Sequence, residues 1–77
     1  MDTNQLTISL EGVDILVQAH RMGKNTIYRI NYPDNRKPLV ITKADRPNGK
    51  AFWTSIPEGR QKEAEIIGNL IDNHINK

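Results

Sequence analysis

The sequence contains no cysteine among its 77 residues. This absence excludes disulfide bonds and the thiolate zinc sites that stabilise many small domains. Aromatic residues are also scarce, since the chain has only Tyr28, Tyr32, Phe52 and Trp53. A core of this size typically supplies only about 3–5 kcal/mol of folding free energy. We therefore expect one small domain over residues 1–77, for which self-association is a further source of buried surface.

Long apolar segments are missing as well. The longest apolar runs have three residues, as in Ile15-Leu16-Val17, whereas a membrane-spanning helix needs about 20. Residues 1–5 lack the basic start and the apolar stretch of a secretory signal. These features predict a soluble cytoplasmic protein with no membrane partner.

Catalytic and metal-binding motifs are not found either. His20 and His74 lie far apart in the sequence, and neither has a second ligand at a metal-binding spacing. Gly59 and Gly68 do not belong to a phosphate-binding loop, because no Gly-Lys-Ser/Thr ending follows them. We therefore expect no enzymatic activity, no cofactor and no metal site.

Charge is distributed unevenly along the chain, although the net charge is only +2. Residues 20–50 carry eight basic and two acidic side chains, a net charge of +6. Residues 1–19 have a net charge of −3 and residues 51–77 a net charge of −1. A basic middle segment favours an anionic partner, although lysines in solvated turns explain the same pattern.

The first twenty residues predict a β-hairpin. Apolar residues alternate with polar ones on both sides of Glu11-Gly12, as in half-buried strands. A two-residue loop at this dipeptide pairs apolar residues with one another on one face. The predicted pairs are Leu10 with Val13, Ile8 with Ile15, and Leu6 with Val17.

Three further strands are predicted from β-forming residues between turn signals, over about 26–32, 38–43 and 50–55. Asn48-Gly49 is a strong hairpin signal. If it forms a two-residue loop, Lys43 pairs with Thr54. This register places Leu39, Ile41, Phe52 and Ile56 on one face, and Val40, Thr42, Ala51 and Trp53 on the other.

The remaining residues predict one helix over about 56–75. Ser55 and Glu58 fit a capping box, and apolar residues then recur at three-and-four spacing as far as Ile75. The predicted fold is α+β: an antiparallel meander of four to five strands, about 5–10, 13–20, 26–32, 38–43 and 50–55, with the helix packed on one face.

A meander brings alternate loops to the same end of the sheet. The loops near residues 21–25 and 44–50 then form what we call the basic end. It contains Arg21, Lys24, Lys43, Arg46 and Lys50, together with Asp45.

The sheet face away from the helix, which we call the open face, is predicted to carry both apolar and polar groups. The helix-facing set is Leu6, Ile8, Leu10, Val13, Ile15, Val17, Tyr28, Ile30, Leu39 and Ile41. The open face then carries Leu16, Ile27, Val40 and Trp53, with Arg29 and Thr42 among them. A core position for Trp53 fits the sequence equally well, because its parity depends on the register of the fifth strand.

Two functions follow from these surfaces. The first is nucleic-acid binding, with Arg21, Lys24, Arg29, Lys43, Arg46 and Lys50 on phosphates and Trp53 stacking on a base. The alternative is a protein-interaction or homodimerisation module with an interface of Leu16, Ile27, Val40 and Trp53.

The order of strands and helix resembles, in topology only, that of Pur-alpha-type repeats and whirly-like transcriptional coactivators. Those domains bind single-stranded nucleic acid and pair into dimers. The sequence contains no motif of either family, so no residue role is transferred to it.

Overall fold

The computed structural model describes residues 3–34 and 36–75, which form five strands and one helix. The elements are β1 (Thr3–Leu10), β2 (Val13–Met22), β3 (Asn25–Asn31), β4 (Leu39–Asp45), β5 (Ala51–Ser55) and α1 (Gln61–Ile75). The strands form one antiparallel sheet in the order β1-β2-β3-β4-β5. The predicted α+β meander with a C-terminal helix is therefore confirmed. No helix within the described ranges is long and apolar enough to cross a lipid bilayer.

The first hairpin has the predicted register. Leu10 pairs with Val13, and the pairing continues without interruption to the start of β1. Glu11 and Gly12 both have positive φ, 52° and 81°, as in a type I′ turn. The twist of this turn matches that of the strands, and this match allows a tight two-residue loop.

The loop between β4 and β5 differs from the prediction. The Arg46 N–H donates to the Lys50 carbonyl, and the Gly49 N–H donates to the Arg46 carbonyl, both at 2.8 Å. These bonds are those of a type I turn with proline at its second position and a left-handed residue at its fourth, here Gly49 with φ 85°. The loop therefore contains three residues, Pro47, Asn48 and Gly49, rather than two.

The additional loop residue shifts the pairing of β5 by one position. Lys43 pairs with Trp53, whereas the prediction paired it with Thr54. Because side chains alternate along a strand, a shift of one residue exchanges the two faces. Trp53 consequently faces the helix and Phe52 faces away from it, the reverse of the prediction.

The helix begins at Gln61, five residues later than predicted. Ser55 is not its first cap, because Ser55 is the last residue of β5 and pairs with Ile41. The intervening residues form a bend that contains a cis Ile56–Pro57 peptide bond and Gly59 at φ 130°. That φ lies far from helical values and is accessible mainly to glycine. Ser55 still contributes, since its Oγ accepts a hydrogen bond from the Arg60 N–H at 3.1 Å.

The hydrophobic core lies between the sheet and α1, which packs on β5, β4 and β1. Leu6, Leu10 and Tyr28 are partly buried against it. Val13 lies on the same face of the sheet but is largely exposed. The buried residues of the core are Ile8, Ile15, Val17, Ile30, Leu39, Ile41, Trp53, Ala64, Ile67 and Ile71.

Candidate nucleic-acid interface

The β2–β3 turn and the β4–β5 loop lie at the same end of the sheet. β3 runs away from this end and the antiparallel β4 returns to it. Strands lie about 4.8 Å apart, so two hairpins that are two strands apart are separated by about 10 Å. Arg21, Lys24, Arg46 and Lys50 are exposed there, and we call them the turn cations. None of them forms an ion pair within residues 3–34 and 36–75.

Lys43 belongs to the same end but has a different environment. Its strand parity directs it to the helix side, where its Nζ lies 2.9 Å from Oδ1 of Asp72. The ammonium group also lies 5.4 Å from the centroid of the Trp53 ring. Lys43 therefore neutralises an acidic group of α1 and is less available to a ligand than the turn cations.

Trp53 occupies the core, so its predicted roles as a stacking residue and as an interface residue are both wrong. Its side chain is 5% exposed and packs against Gly68 of α1. The ring meets Tyr28 edge-on, with centroids 5.3 Å apart, and its Nε1 donates to Oδ2 of Asp72 at 3.0 Å. The cause is the three-residue loop, which Pro47 directly before Asn48-Gly49 signals in the sequence.

Phe52 takes the place on the open face that was predicted for Trp53. It is half-buried, and the guanidinium carbon of Arg46 lies 4.6 Å from the centroid of its ring. The Arg46 guanidinium therefore lies over the Phe52 ring at the border between the basic end and the open face. This pair was missed by sequence reasoning because the predicted register placed Phe52 in the core.

The open face contains few charges. Arg29 is exposed there and is paired in register with Gln18 on one side and Val40 on the other. Leu16 is 40% exposed, and Ile27 and Val40 are half-buried. Among the open-face residues of the described strands, the one acidic residue is Asp14, next to the β1–β2 turn at the opposite end. An anionic ligand on this face would meet little repulsion.

Two cations at the other end of the sheet, Arg36 and Arg60, are held in ion pairs. Arg60 forms hydrogen bonds to both carboxylate oxygens of Glu63, and it also donates to the Pro38 carbonyl at 2.9 Å. Arg36 pairs with Asp34 at 3.0 Å. The Arg60 contacts join the loop before β4 to the start of α1, whereas the Arg36–Asp34 pair lies within that loop.

A groove of about 500 Å³ lies beside these ion pairs, and its apolar wall includes Leu10, Val13 and Ile66. At its polar end the Tyr32 hydroxyl donates to Glu63 at 3.0 Å. Burial and this hydrogen bond raise the pKa of Tyr32 to about 12. Hydrogen bonds from Arg60 lower the pKa of the Glu63 carboxyl. Both groups are thus held in the protonation state that they have at neutral pH.

Within the described residues, no three histidine, aspartate or glutamate side chains lie close enough together to hold a metal ion. No protein-family model matches the sequence, and the comparisons with curated proteins and with solved structures found no match.

Proposed function

We propose that this protein is a binding module for single-stranded nucleic acid, which it contacts through the turn cations and the adjoining open face. The observation that carries the proposal is the grouping of Arg21, Lys24, Arg46 and Lys50, all exposed and without ion pairs in the described residues. Clustered unpaired cations are the main electrostatic requirement for binding a phosphate backbone.

The distribution of acidic groups supports the same surface. Asp45 is the one described acidic residue of the basic end that lacks an ion-pair partner, since Asp72 is paired with Lys43. The remaining described acidic residues lie near the opposite end of the sheet or along α1. This asymmetry would orient the basic end toward a polyanion during approach.

The open face supports a single strand over a duplex as the ligand. Unpaired bases stack on aromatic rings and on arginine planes, and the Phe52–Arg46 pair presents both groups beside the turn cations. Arg29 lies four residues from the start of β3, a distance of about 13 Å along the strand. A single nucleic-acid strand that runs from the turn cations across the open face would therefore contact Arg29 as a further cation.

The experiment is a titration of a labelled single-stranded oligonucleotide of about 20 nucleotides, followed by fluorescence anisotropy from about 50 to 200 mM salt. Each phosphate contact with a single strand contributes about −0.7 to the slope of the logarithm of affinity against the logarithm of salt concentration. Four or five contacts therefore predict a slope of about −3. Undetectable binding at the lowest salt concentration, or binding that does not change with salt, contradicts the proposal.

The matched variants distinguish a local site from net charge. The double variant Lys24→Ala/Lys50→Ala should weaken binding by roughly tenfold and reduce the slope by about 1.4. The control Lys37→Ala/Lys62→Ala removes the same charge from exposed positions away from the basic end, and we expect a much smaller effect. Equal losses in both double variants would show that the basic end is not a site. A duplex that binds as tightly as the single strand would contradict the stacking contact.

A further inference from the structure

β1 is an edge strand that lacks the charged residues, prolines and bulges by which proteins usually protect an edge. It is eight residues long, Thr3–Leu10, and in the part of the chain that the structure describes it pairs with β2 alone. It contains no charged residue and no proline, and its uninterrupted register with β2 leaves no bulge. Long, uncharged, regular edges of this kind offer a template for another strand.

The alternation of hydrogen bonds shows which groups of β1 point outward. The type I′ turn makes Leu10 and Val13 a hydrogen-bonded pair, so the main-chain groups of every second residue from Ser9 point away from β2. These residues include Gln5, Thr7 and Ser9, and all three are exposed. Among residues 3–34 and 36–75, no hydrogen-bond partner is found for their outward N–H and C=O groups.

The opposite edge of the sheet, β5, is protected. It has only five residues and lies between Lys50 and Pro57. The Arg46–Lys50 and Ile56–Val40 hydrogen bonds place Trp53 in a non-hydrogen-bonded pair, so its carbonyl points outward. Gln61 Nε2 of α1 donates to that carbonyl at 2.6 Å. Among the described residues, β5 is therefore short and has one outward carbonyl bonded to α1, whereas the outward main-chain groups of β1 have no such partner.

We propose that a second copy of this chain pairs with the open edge, β1 against β1 in antiparallel orientation, to form a two-fold dimer with a continuous ten-stranded sheet. Centred on Thr7, this pairing opposes Gln5 to Ser9 of the second copy and Leu6 to Ile8. The three outward-pointing pairs then form about six main-chain hydrogen bonds. The two helices lie on the same face of the joined sheet.

The chemistry of the edge favours a second copy over a charged peptide. In a two-fold dimer, the residues of β1 lie opposite residues of the identical strand. Hydroxyl, amide and aliphatic side chains can pack against their own kind, whereas like charges would repel each other. β1 offers only such side chains. Leu6 and Leu10 on its helix side are not fully buried in the single chain, and exposed Ile66 borders the groove next to Leu10. Because β5 is protected, the pairing ends at a dimer rather than continuing into a fibre.

The experiment is sedimentation equilibrium of the wild type and of variants at Thr7, whose outward N–H has no hydrogen-bond partner among the described residues. Thr7→Lys and Thr7→Glu each place like charges together at the two-fold axis, and each should weaken self-association by roughly tenfold or more. An equimolar mixture of the two variants should recover a dimer, because opposite charges then meet. Thr7→Pro, which removes the outward N–H, should also be monomeric, and the unchanged environment of Trp53 in fluorescence reports that each variant is folded.

The control is Val40→Glu on the open face, which should sediment as the wild-type dimer does. A wild type that stays monomeric up to about millimolar concentration, or that forms higher assemblies, overturns the proposal. A dimer that Val40→Glu dissociates and Thr7→Lys does not would place the interface on the open face, which also overturns it. Nucleic-acid binding is measured separately, so the dimer and the proposed function can fail independently.

Discussion

The indole of Trp53 occupies the space in which a Cβ atom at Gly68 would lie. Trp53 is the largest side chain of the core, and Gly68 lies midway along α1, between the buried residues Ile67 and Ile71. A glycine at this position lets the helix axis approach the sheet closely enough to cover the ring. The contact ties the register of β5 to the position of α1.

Gly68→Ala should therefore destabilise the protein, although alanine is the better helix former. Overpacking typically costs about 1–3 kcal/mol, and the gain in helix propensity offsets about 1 kcal/mol, so we expect a net loss of up to about 2 kcal/mol in the free energy of urea unfolding. Asn69→Ala, at the exposed neighbouring position, is the control and should be neutral or slightly stabilising. If Gly68→Ala were as neutral or stabilising as Asn69→Ala, the Trp53 ring would not pack against Gly68.

The part of the fold that the sequence predicts well is local and strongly patterned. Apolar alternation on both sides of Glu11-Gly12 predicts the register of β1 and β2, because a two-residue loop at this dipeptide sets the apolar residues of the two strands opposite one another. The meander follows from the short loops. The basic end follows from the meander, since topology alone brings Arg21 and Lys50 to the same end of the sheet.

The part that was mispredicted depends on single residues in loops. Asn48-Gly49 forms a two-residue loop in many hairpins, but Pro47 favours a type I turn that starts one residue earlier. That choice moves Trp53 from the open face to the core. The helix start was misplaced for a related reason, since Ser55 and Glu58 form a capping pattern that the pairing of Ser55 in β5 overrides. In the loop, one local turn signal prevails over another, whereas at Ser55 strand pairing prevails over a local capping signal.

Asp72 serves two partners, which two substitutions can separate. Its Oδ2 accepts from the Trp53 indole at 3.0 Å and its Oδ1 pairs with Lys43 at 2.9 Å. Asp72→Ala leaves the indole N–H without its acceptor and should cost about 1–3 kcal/mol. Asp72→Asn keeps a side-chain oxygen for the indole and loses only a partly exposed ion pair, which should cost about 0–1 kcal/mol. Equal losses in the two variants, measured by urea unfolding, would contradict a role for the indole hydrogen bond.

Glu63 should contribute to the loss of stability in acid. Hydrogen bonds from Arg60, followed by the one from Tyr32, lower its pKa from 4.5 in the folded state. A lowered carboxyl pKa gives stability that is present above the unfolded pKa and is lost as the pH falls through the folded value. The unfolding free energy of Glu63→Gln should therefore decline less than that of the wild type below about pH 4.5. Glu65→Gln, on the exposed side of α1, is the control, and a wild-type acid profile in Glu63→Gln would contradict the assignment.

Tyr32 should show the complementary behaviour in alkali. Its pKa is raised to about 12 by burial and by the hydrogen bond to Glu63, so the folded state holds the neutral phenol more strongly than the unfolded chain. That stabilisation is complete below about pH 10 and is lost as the pH rises toward 12. The unfolding free energy of Tyr32→Phe should therefore decline less than that of the wild type between about pH 10 and pH 12. Absorbance of the phenolate should show a tyrosine that ionises near pH 12 in the wild type and is missing in the variant.

Phe52, rather than Trp53, should be the aromatic residue that affects nucleic-acid binding. A base stacked on an aromatic side chain is worth about 1–3 kcal/mol by alanine substitution, and Phe52 is the aromatic residue that lies on the open face beside Arg46. Phe52→Leu keeps apolar bulk but removes the ring, so it should weaken binding of a single-stranded oligonucleotide by roughly 5- to 100-fold while leaving the salt slope unchanged. Ile56→Ala, an exposed apolar position beside Val40, is the control and should bind as the wild type does. The fluorescence of buried Trp53 should stay constant through the titration, and a strong quench on binding would contradict this assignment.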